Sequence, residues 1–466
     1  MEFLKDIALP QSLGHYQLLL FMLNMVSIVL LPYLGFLFGV SLLAWWLDRR
    51  GRASSSQGDL QIASDLLGLG LYRKSLVVFA ALVPALVLVF VYAQMLQQTP
   101  SIAVGLMGYG FLSLLAASVL LYSYRVTFAV GTILQSYGTF LHGRKASVES
   151  ARVDSYAAIT ARTHTRSGRW GILLLALAIL LTIGATTAAV DPSRWATYDT
   201  VFDLLLSVHF YARVALFLGV AAAATGIGVL FLTFRSGWIL VGGEPTGREW
   251  LRKTGILLAT LAVLTIPLLI VVNVLLLPPM ALSGGLFTLA GSAILLIFVA
   301  GIFVYAYGRD NESRYTSYAL YALLLGLTLL FTCDQVAIAT ATRDHSAQLA
   351  AMYAKNTEEL KARLGVGAKA LTGQEIYEGK CSACHLFDQR KVGPPYKEVI
   401  PKYEGKKGEL VAFILNPVKV NPAYPSMPSQ GLKPAEADSI ASYLLQKYAT
   451  ARPPTASSPS AAGSGN

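Results

Sequence analysis

Residues 381–385 read Cys381-Ser382-Ala383-Cys384-His385, a spacing that carries a specific chemistry. Each thiol can add to one vinyl group of a haem, and the histidine next in sequence then lies under the iron as its proximal ligand. The Cys-x-x-Cys half of the motif also suits zinc or thiol exchange. The adjoining His385, and the compact segment that begins here, favour haem. A second ligand is legible further on. Tyr424-Pro425-Ser426-Met427-Pro428 places a methionine 42 positions after His385, in a loop stiffened by proline. A thioether in the sixth position raises the reduction potential and leaves no iron position open for substrate. The alternative for Met427 is a surface-loop methionine, with another ligand elsewhere.

Composition sets the elements that must carry these residues. Of 466 residues only 14% are charged and 55% are apolar, whereas a soluble chain carries about a quarter charged residues. A soluble enzyme and a disordered protein are both excluded. With three cysteines in all, so is a scaffold stapled by disulfides. A net charge of +11 would ordinarily suggest nucleic acid. Its distribution assigns it to membrane topology instead, and no nucleic-acid partner is expected.

Long apolar runs recur from Tyr16 to about Thr340, and a spanning helix needs about 20 such residues. Eight spans are expected, at 16–47, 75–96, 101–123, 170–190, 204–234, 254–277, 281–307 and 317–340. The first and fifth are longer than a bilayer requires, so they tilt, kink or protrude, with Pro32 as the natural kink site in the first. That first run is also too long for a cleaved signal peptide and lacks a basic leader. One set of loops holds eighteen Lys and Arg, among them Arg49, Arg50, Arg73, Arg125, Arg144, Lys145, Arg162, Arg248 and Arg309. The opposite set holds only Lys5 and Arg194. Positive charge marks the cytoplasmic side. Eight spans then put both termini outside, as in a multi-pass protein of a bacterial inner membrane with its C-terminal domain in the periplasm.

The expected organisation is therefore all-α: a polytopic helical membrane bundle over 1–342, a polar helical connector over 343–370, a compact domain over 371–449 and a disordered Pro/Ser/Ala/Gly tail over 450–466. Two cytoplasmic stretches, 58–72 and 141–166, read equally as interfacial helices or as ordinary loops.

The compact domain resembles a class I cytochrome c. The resemblance covers Gly373, Ile376 and Tyr377 before the attachment site, Gly393-Pro394 after it, Met427-Pro428, and a last helix bearing Ile440, Tyr443 and Leu444. It implies one covalent haem c, with His385 and Met427 on the iron and Cys381 and Cys384 holding the ring. It also implies that the Pro394 carbonyl orients His385. Lysines 380, 391, 397, 402, 406 and 407 surround the attachment half. They either steer an acidic redox partner towards the haem edge or form an ordinary solvated surface.

Three further histidines, His15, His209 and His345, map near the outer ends of expected spans, whereas His142 and His164 fall in a basic cytoplasmic stretch and are expected to be solvated. His209 lies within the fifth span, with Arg213 one turn on and facing the same way. Ionisable groups inside a span are costly and usually functional. One reading is a histidine ligating a b-type haem, with Arg213 answering a propionate. The other is an Arg213–Asp334 pair, with His209 hydrogen-bonded beside it. His345 either ligates as well or simply follows the last span. Leu13-Gly14-His15-Tyr16 and Ser207-Val208-His209-Phe210-Tyr211 resemble subunit I of the bd-type quinol oxidases, which implies haem-ligating histidines at His15 and His209. The chain departs from that family in having no glutamate in spans two to four and no long loop after span six. Cys333 is expected to be a small buried hydrophobe. Asp203 and Asp334 are candidate single proton stations, and Trp45, Trp46, Trp170 and Trp195 are expected in interfacial belts.

Three functions are compatible with these residues. The first is a membrane electron-transfer protein of a respiratory chain, passing electrons in either direction between a quinol or membrane haem and a periplasmic redox protein. That role is expected within a complex of further membrane subunits, with no catalytic residue of its own. The second is a bd-like oxidase subunit with a fused electron-donor domain. The third is a membrane anchor that carries haem c and no other cofactor.

Overall fold

The computed structural model describes residues 11–143, 147–198, 200–236, 245–364 and 371–451, and every regular element among them is helical. Lys5, the pair Arg144 and Lys145, and the tail from 452 onward lie outside the described residues, as does the His142 side chain. The chain divides into two compact units, Met1–Tyr353 and Ala354–Asn466.

The first unit is a multi-pass membrane bundle with eight helices long and apolar enough to span: α1 (Leu13–Ser54), α3 (Lys74–Met95), α4 (Ala103–Gly143), α5 (Ser147–Ala189), α6 (Val208–Phe234), α7 (Pro245–Leu275), α8 (Gly284–Asp310) and α9 (Arg314–Ala341). The amphipathic α2 (Gln57–Gly70) occupies the first of the two ambiguous cytoplasmic stretches, and it buries Ile62, Ala63, Leu66 and Leu67. Ser12 caps α1 by accepting the His15 backbone N–H, and Ser55 ends it in the left-handed conformation at φ 53°. Pro32 sits inside this unbroken helix. In α3 the ladder widens to a π turn over Val78–Leu82 just before Pro84. The wider turn makes room for a ring that cannot donate and would crowd the carbonyl four residues back.

In the second ambiguous stretch the described residues, 141–143 and 147–166, extend α4 and α5, which pack along each other as a long antiparallel pair. At 41 and 43 residues, each is roughly 60–65 Å long, about twice the hydrocarbon thickness of a bilayer.

After α9 a polar helix, α10 (Arg343–Arg363), begins at once; the division between the two units falls within it. The second unit builds on α11 (Gly373–Ile376) with its π-turn continuation Tyr377–Cys381, α12 (Tyr396–Val399), α13 (Lys407–Leu415) and α14 (Pro434–Ala451). Its core gathers Ile376, Phe387, Ile400, Leu410, Ile440 and Leu444.

Candidate haem site and intramembrane charge cluster

Thr372 and Glu375 form a reciprocal capping box that starts α11. The helix then crosses α14 so closely that a Cβ on Gly373 would collide with the Ser439 carbonyl and the Tyr443 Cβ. Only glycine fits this crossing, and it sets where the following turn delivers Cys381. Cys381 is buried and Cys384 half-buried, both as free thiols. Burial pushes the Cys381 thiol above its ordinary range. The His385 amide donates to the Cys381 carbonyl at 2.9 Å, which closes the motif into one turn.

His385 is held from three sides. Its Nδ1 lies 2.8 Å from the Pro394 carbonyl. A carbonyl can only accept, so Nδ1 carries the proton and the Nε2 lone pair is left for iron. The Tyr396 ring stacks on the imidazole at 5.0 Å between centroids. Gly393 passes so near the ring that a Cβ there would fall within it. Its amide donates to Cys384 O at 2.8 Å, fixing the Gly393-Pro394 turn to the attachment motif. Two thiols on one turn and an oriented imidazole fit covalent haem.

Met427 is half-buried, in the irregular stretch between α13 and α14. Two ties join that stretch to the attachment side. Lys380 donates to Gln430 O at 3.2 Å, and the Arg390 guanidinium covers the Tyr424 ring at 4.7 Å. The lysines expected to encircle the attachment half are largely engaged within the domain. Lys391 donates to Ser382 O, while Lys397, Lys406 and Lys407 face Asp388, Glu409 and Asp438. Lys447, which the sequence reading passed over, places its ammonium 4.9 Å from the Tyr377 ring and 5.4 Å from those of Phe387 and Tyr443.

Within the bundle, Arg213 on α6 is only 9% exposed and forms a two-pronged ion pair with Asp334 on α9, at 2.6 and 3.3 Å. Its remaining Nε–H donates to His209 Nε2 at 3.0 Å. Of the two readings of these residues, the structure displays the paired one. Beside them Asn273 on α7 donates both amide protons, to the Ala212 and Leu269 carbonyls. Its buried Oδ1 has no hydrogen-bond partner, an omission that costs about 1–3 kcal/mol. His15 stands exposed on the first turn of α1. His345, on α10, meets Trp195 edge-on at 5.5 Å, and burial lowers its pKa. Cys333 is buried and its thiol donates to Leu286 O. Asp203 serves as a helix cap for Thr200.

Two expectations are corrected here. His164 is not solvated: it is 2% exposed, between Thr127 at 2.8 Å and Asp48 at 3.1 Å. Tyr124 and Arg52 also donate to Asp48, so α1, α4 and α5 are joined by one buried polar knot. Its trace in the sequence is slight, because Asp48 stands beside Arg49 and Arg50 at the charged end of α1 and has Arg52 one turn on as an obvious local partner. Trp195 does not present its ring to lipid headgroups either. It is buried, and its indole N–H donates to Ala188 O at 2.9 Å.

The family model "Cytochrome c" matches residues 370–447. Cytochrome c-551 of Pseudomonas denitrificans is 37% identical over 79 residues, covering 16% of this chain and 95% of that protein. Cytochrome c-551 of Azotobacter vinelandii is 38% identical over 78 residues, with the same coverage. Cytochrome c-552 of Hydrogenobacter thermophilus is 33% identical over 92 residues, 18% of this chain and 92% of that protein. No solved structure matches the chain. The resemblance of the first and fifth spans to bd-type oxidases is not carried by any of these matches.

Proposed function

The chain belongs to the cytochrome c family through its C-terminal domain, and from that premise we propose that it passes single electrons between a membrane quinol and a soluble redox protein outside the membrane. Haem c and electron transfer follow from the family itself. The partners, the respiratory setting and the direction of flow are the proposal.

One observation carries it: His385 Nδ1 is committed to Pro394 O, so a single nitrogen faces the iron site from a ring that cannot rotate. Bound haem supplies a ferric/ferrous couple. Met427 would hold the iron together with His385, which would leave no iron position for substrate and restrict the domain to electron transfer. Cys381 and Cys384 hold the ring against loss during redox cycling. Each quinol yields two electrons and two protons, so two successive single-electron transfers balance one quinol. The basic loops, from Arg49 to Arg314, orient the bundle with its C-terminal domain on the outer side, in the periplasm of a bacterial inner membrane. A membrane part of eight spans is more than a tether for one haem domain needs, which supports a place among the membrane subunits of a respiratory complex.

A haem b on His209 would require Nε2, which accepts from Arg213. The reading without a membrane haem needs no rearrangement and is preferred. A pyridine haemochrome spectrum of the purified protein, followed by anaerobic addition of decylubiquinol, tests the proposal. Haem c alone, reduced by the quinol, is the expected result. A spectrum containing haem b overturns the preferred cofactor content, and a haem c that the quinol leaves oxidised overturns the donor.

A further inference from the structure

Between α7 and α8 lies an open groove of about 570 Å³. A water-sized group needs roughly 10–15 Å³ on such a measure, so the space takes on the order of forty of them, more than one acyl chain. Ile256, Val263, Leu264, Phe298 and Ile302 are among its walls. Leu264, Phe298 and Ile302 are exposed, on two helices long and apolar enough to span, so the groove faces lipid. The helices touch at Gly301, where an added Cβ would fall 2.4 Å from Val263 Cγ1. Along α8 the lining runs from Phe298 to Arg309, roughly 16 Å. That is about half the hydrocarbon thickness of a bilayer, the depth of one leaflet.

One end of the groove is basic. Arg309 belongs to its lining, with the exposed Tyr305 one turn earlier. On α7 the lining stripe of Ile256, Thr260 and Val263 continues back to Lys253, one turn before Ile256 on the same face. The two helices are level here, since a Cβ on Gly308 would lie 3.8 Å from Ile256 Cδ1. Lys253 and Arg309 therefore flank the same end, with side chains 72% and 68% exposed. Their neighbours leave positive charge over. Glu249 gives both oxygens to Arg252, at 2.9 and 3.0 Å, and meets Lys253 only at 3.5 Å. Arg309 pairs with the adjacent Asp310, an exposed contact that a stronger anion can displace. Over residues 248–253 and 309–314 together, five cations face three carboxylates.

We propose that this groove holds an acyl chain of an anionic phospholipid, with its phosphate between Lys253 and Arg309. The leaflet-deep apolar walls take the chain, the surplus cations take the headgroup, and Tyr305 lies at the level where an amphipathic ring meets headgroups. A zwitterionic lipid carries its own cation to the basic end and gains less there. A spanning helix of another subunit could cover the same walls, but it brings no obligatory negative charge to Lys253 and Arg309.

The test uses full-length, haem-loaded protein, stripped of lipid in detergent and given equal amounts of phosphatidylglycerol and phosphatidylcholine with matched chains. Native mass spectrometry reads which lipid stays bound. Two variants accompany the wild type. Lys253→Gln combined with Arg309→Gln removes the charge, and Thr260→Trp fills the groove from an exposed position. Haem content and melting temperature report folding. The charge variant alters only exposed side chains, so it decides the matter even if the filled one folds poorly. Wild type is expected to retain phosphatidylglycerol over phosphatidylcholine by roughly fivefold or more, and both variants are expected to lose that preference. Equal retention of the two lipids by wild type overturns the site. A preference that survives the charge substitutions removes the headgroup contact, and one that survives in folded Thr260→Trp removes the groove. A polypeptide that co-purifies with wild type and is shed by Thr260→Trp, with no lipid preference in either, gives the groove to another subunit instead.

Discussion

His385 and His209 are both half-buried histidines, each with a fixed neighbour on its ring, yet they are prepared for opposite ends. At His385 a carbonyl accepts the Nδ1–H hydrogen bond and leaves Nε2 open. At His209 a guanidinium, which can only donate, occupies Nε2. Burial and a nearby polar group are common to both and so distinguish nothing. What decides is which nitrogen is left and whether the partner donates or accepts the hydrogen bond. His164 makes the same point a third time, with both nitrogens engaged inside the bundle.

The comparison breaks first at the thiols. Cys381→Ser combined with Cys384→Ser is expected to abolish covalent haem entirely, read as haem staining on a denaturing gel. His209→Ala is expected to leave that stain unchanged. A drop in total haem in the His209 variant would instead restore a membrane haem.

Next is the ion pair. Arg213→Met strands the Asp334 carboxylate in a largely apolar surround, and losing one partner of a buried pair costs about 3–5 kcal/mol. The expected outcome is a large fall in melting temperature, much of it recovered in the double variant with Asp334→Leu. Equal losses in the single and double variants would mean that the pair is not the stabilising unit.

Met427→Ala sharpens the other side. Axial ligands move haem potentials over a range of about 0.8 V, and loss of a thioether is expected to lower this one by on the order of 0.1 V. Potentiometric titration measures the shift, and imidazole then binding the ferric protein marks the opened position. An unchanged potential would move the sixth ligand elsewhere.

The smallest effect lies outside both sites. Burial raises the Asp65 carboxyl on α2 from 3.8 to about 6, against a weaker opposing hydrogen bond from Gln61. A carboxyl whose folded value lies above its unfolded one favours the folded state below about pH 4, and that contribution is lost as pH rises through about 6. Thermal melts between pH 4 and 7 should therefore show a declining component, absent in Asp65→Asn. Parallel curves for the two proteins would refute it.

How much of this was legible follows from what each residue answers to. The attachment motif, Gly393-Pro394 and the eight spans are local patterns, because covalent spacing and bilayer thickness act on contiguous residues. The Arg213–Asp334 pair was available as an alternative because two opposite charges in apolar helices have few other partners. The His164 knot was not legible. Its members come from α1, α4 and α5, and nothing in the run around His164 announces that α5 extends beyond the length a bilayer needs. Lys447 and Asn273 were missed for a related reason. Their roles depend on neighbours far away in the sequence, three aromatic rings in one case and two backbone carbonyls in the other.

The crossing at Gly373 has a consequence for the order of assembly. The Ser439 hydroxyl donates to the Leu371 carbonyl across 68 residues, so the two ends of the domain meet only once nearly all of it has been delivered. Contacts of such long separation form late. Until then Cys381 and Cys384 lie on an unclosed segment, open to reaction with the haem vinyl groups. The closing helix α14 is delivered well after the attachment motif, which gives thioether chemistry a natural interval before the fold shuts over it.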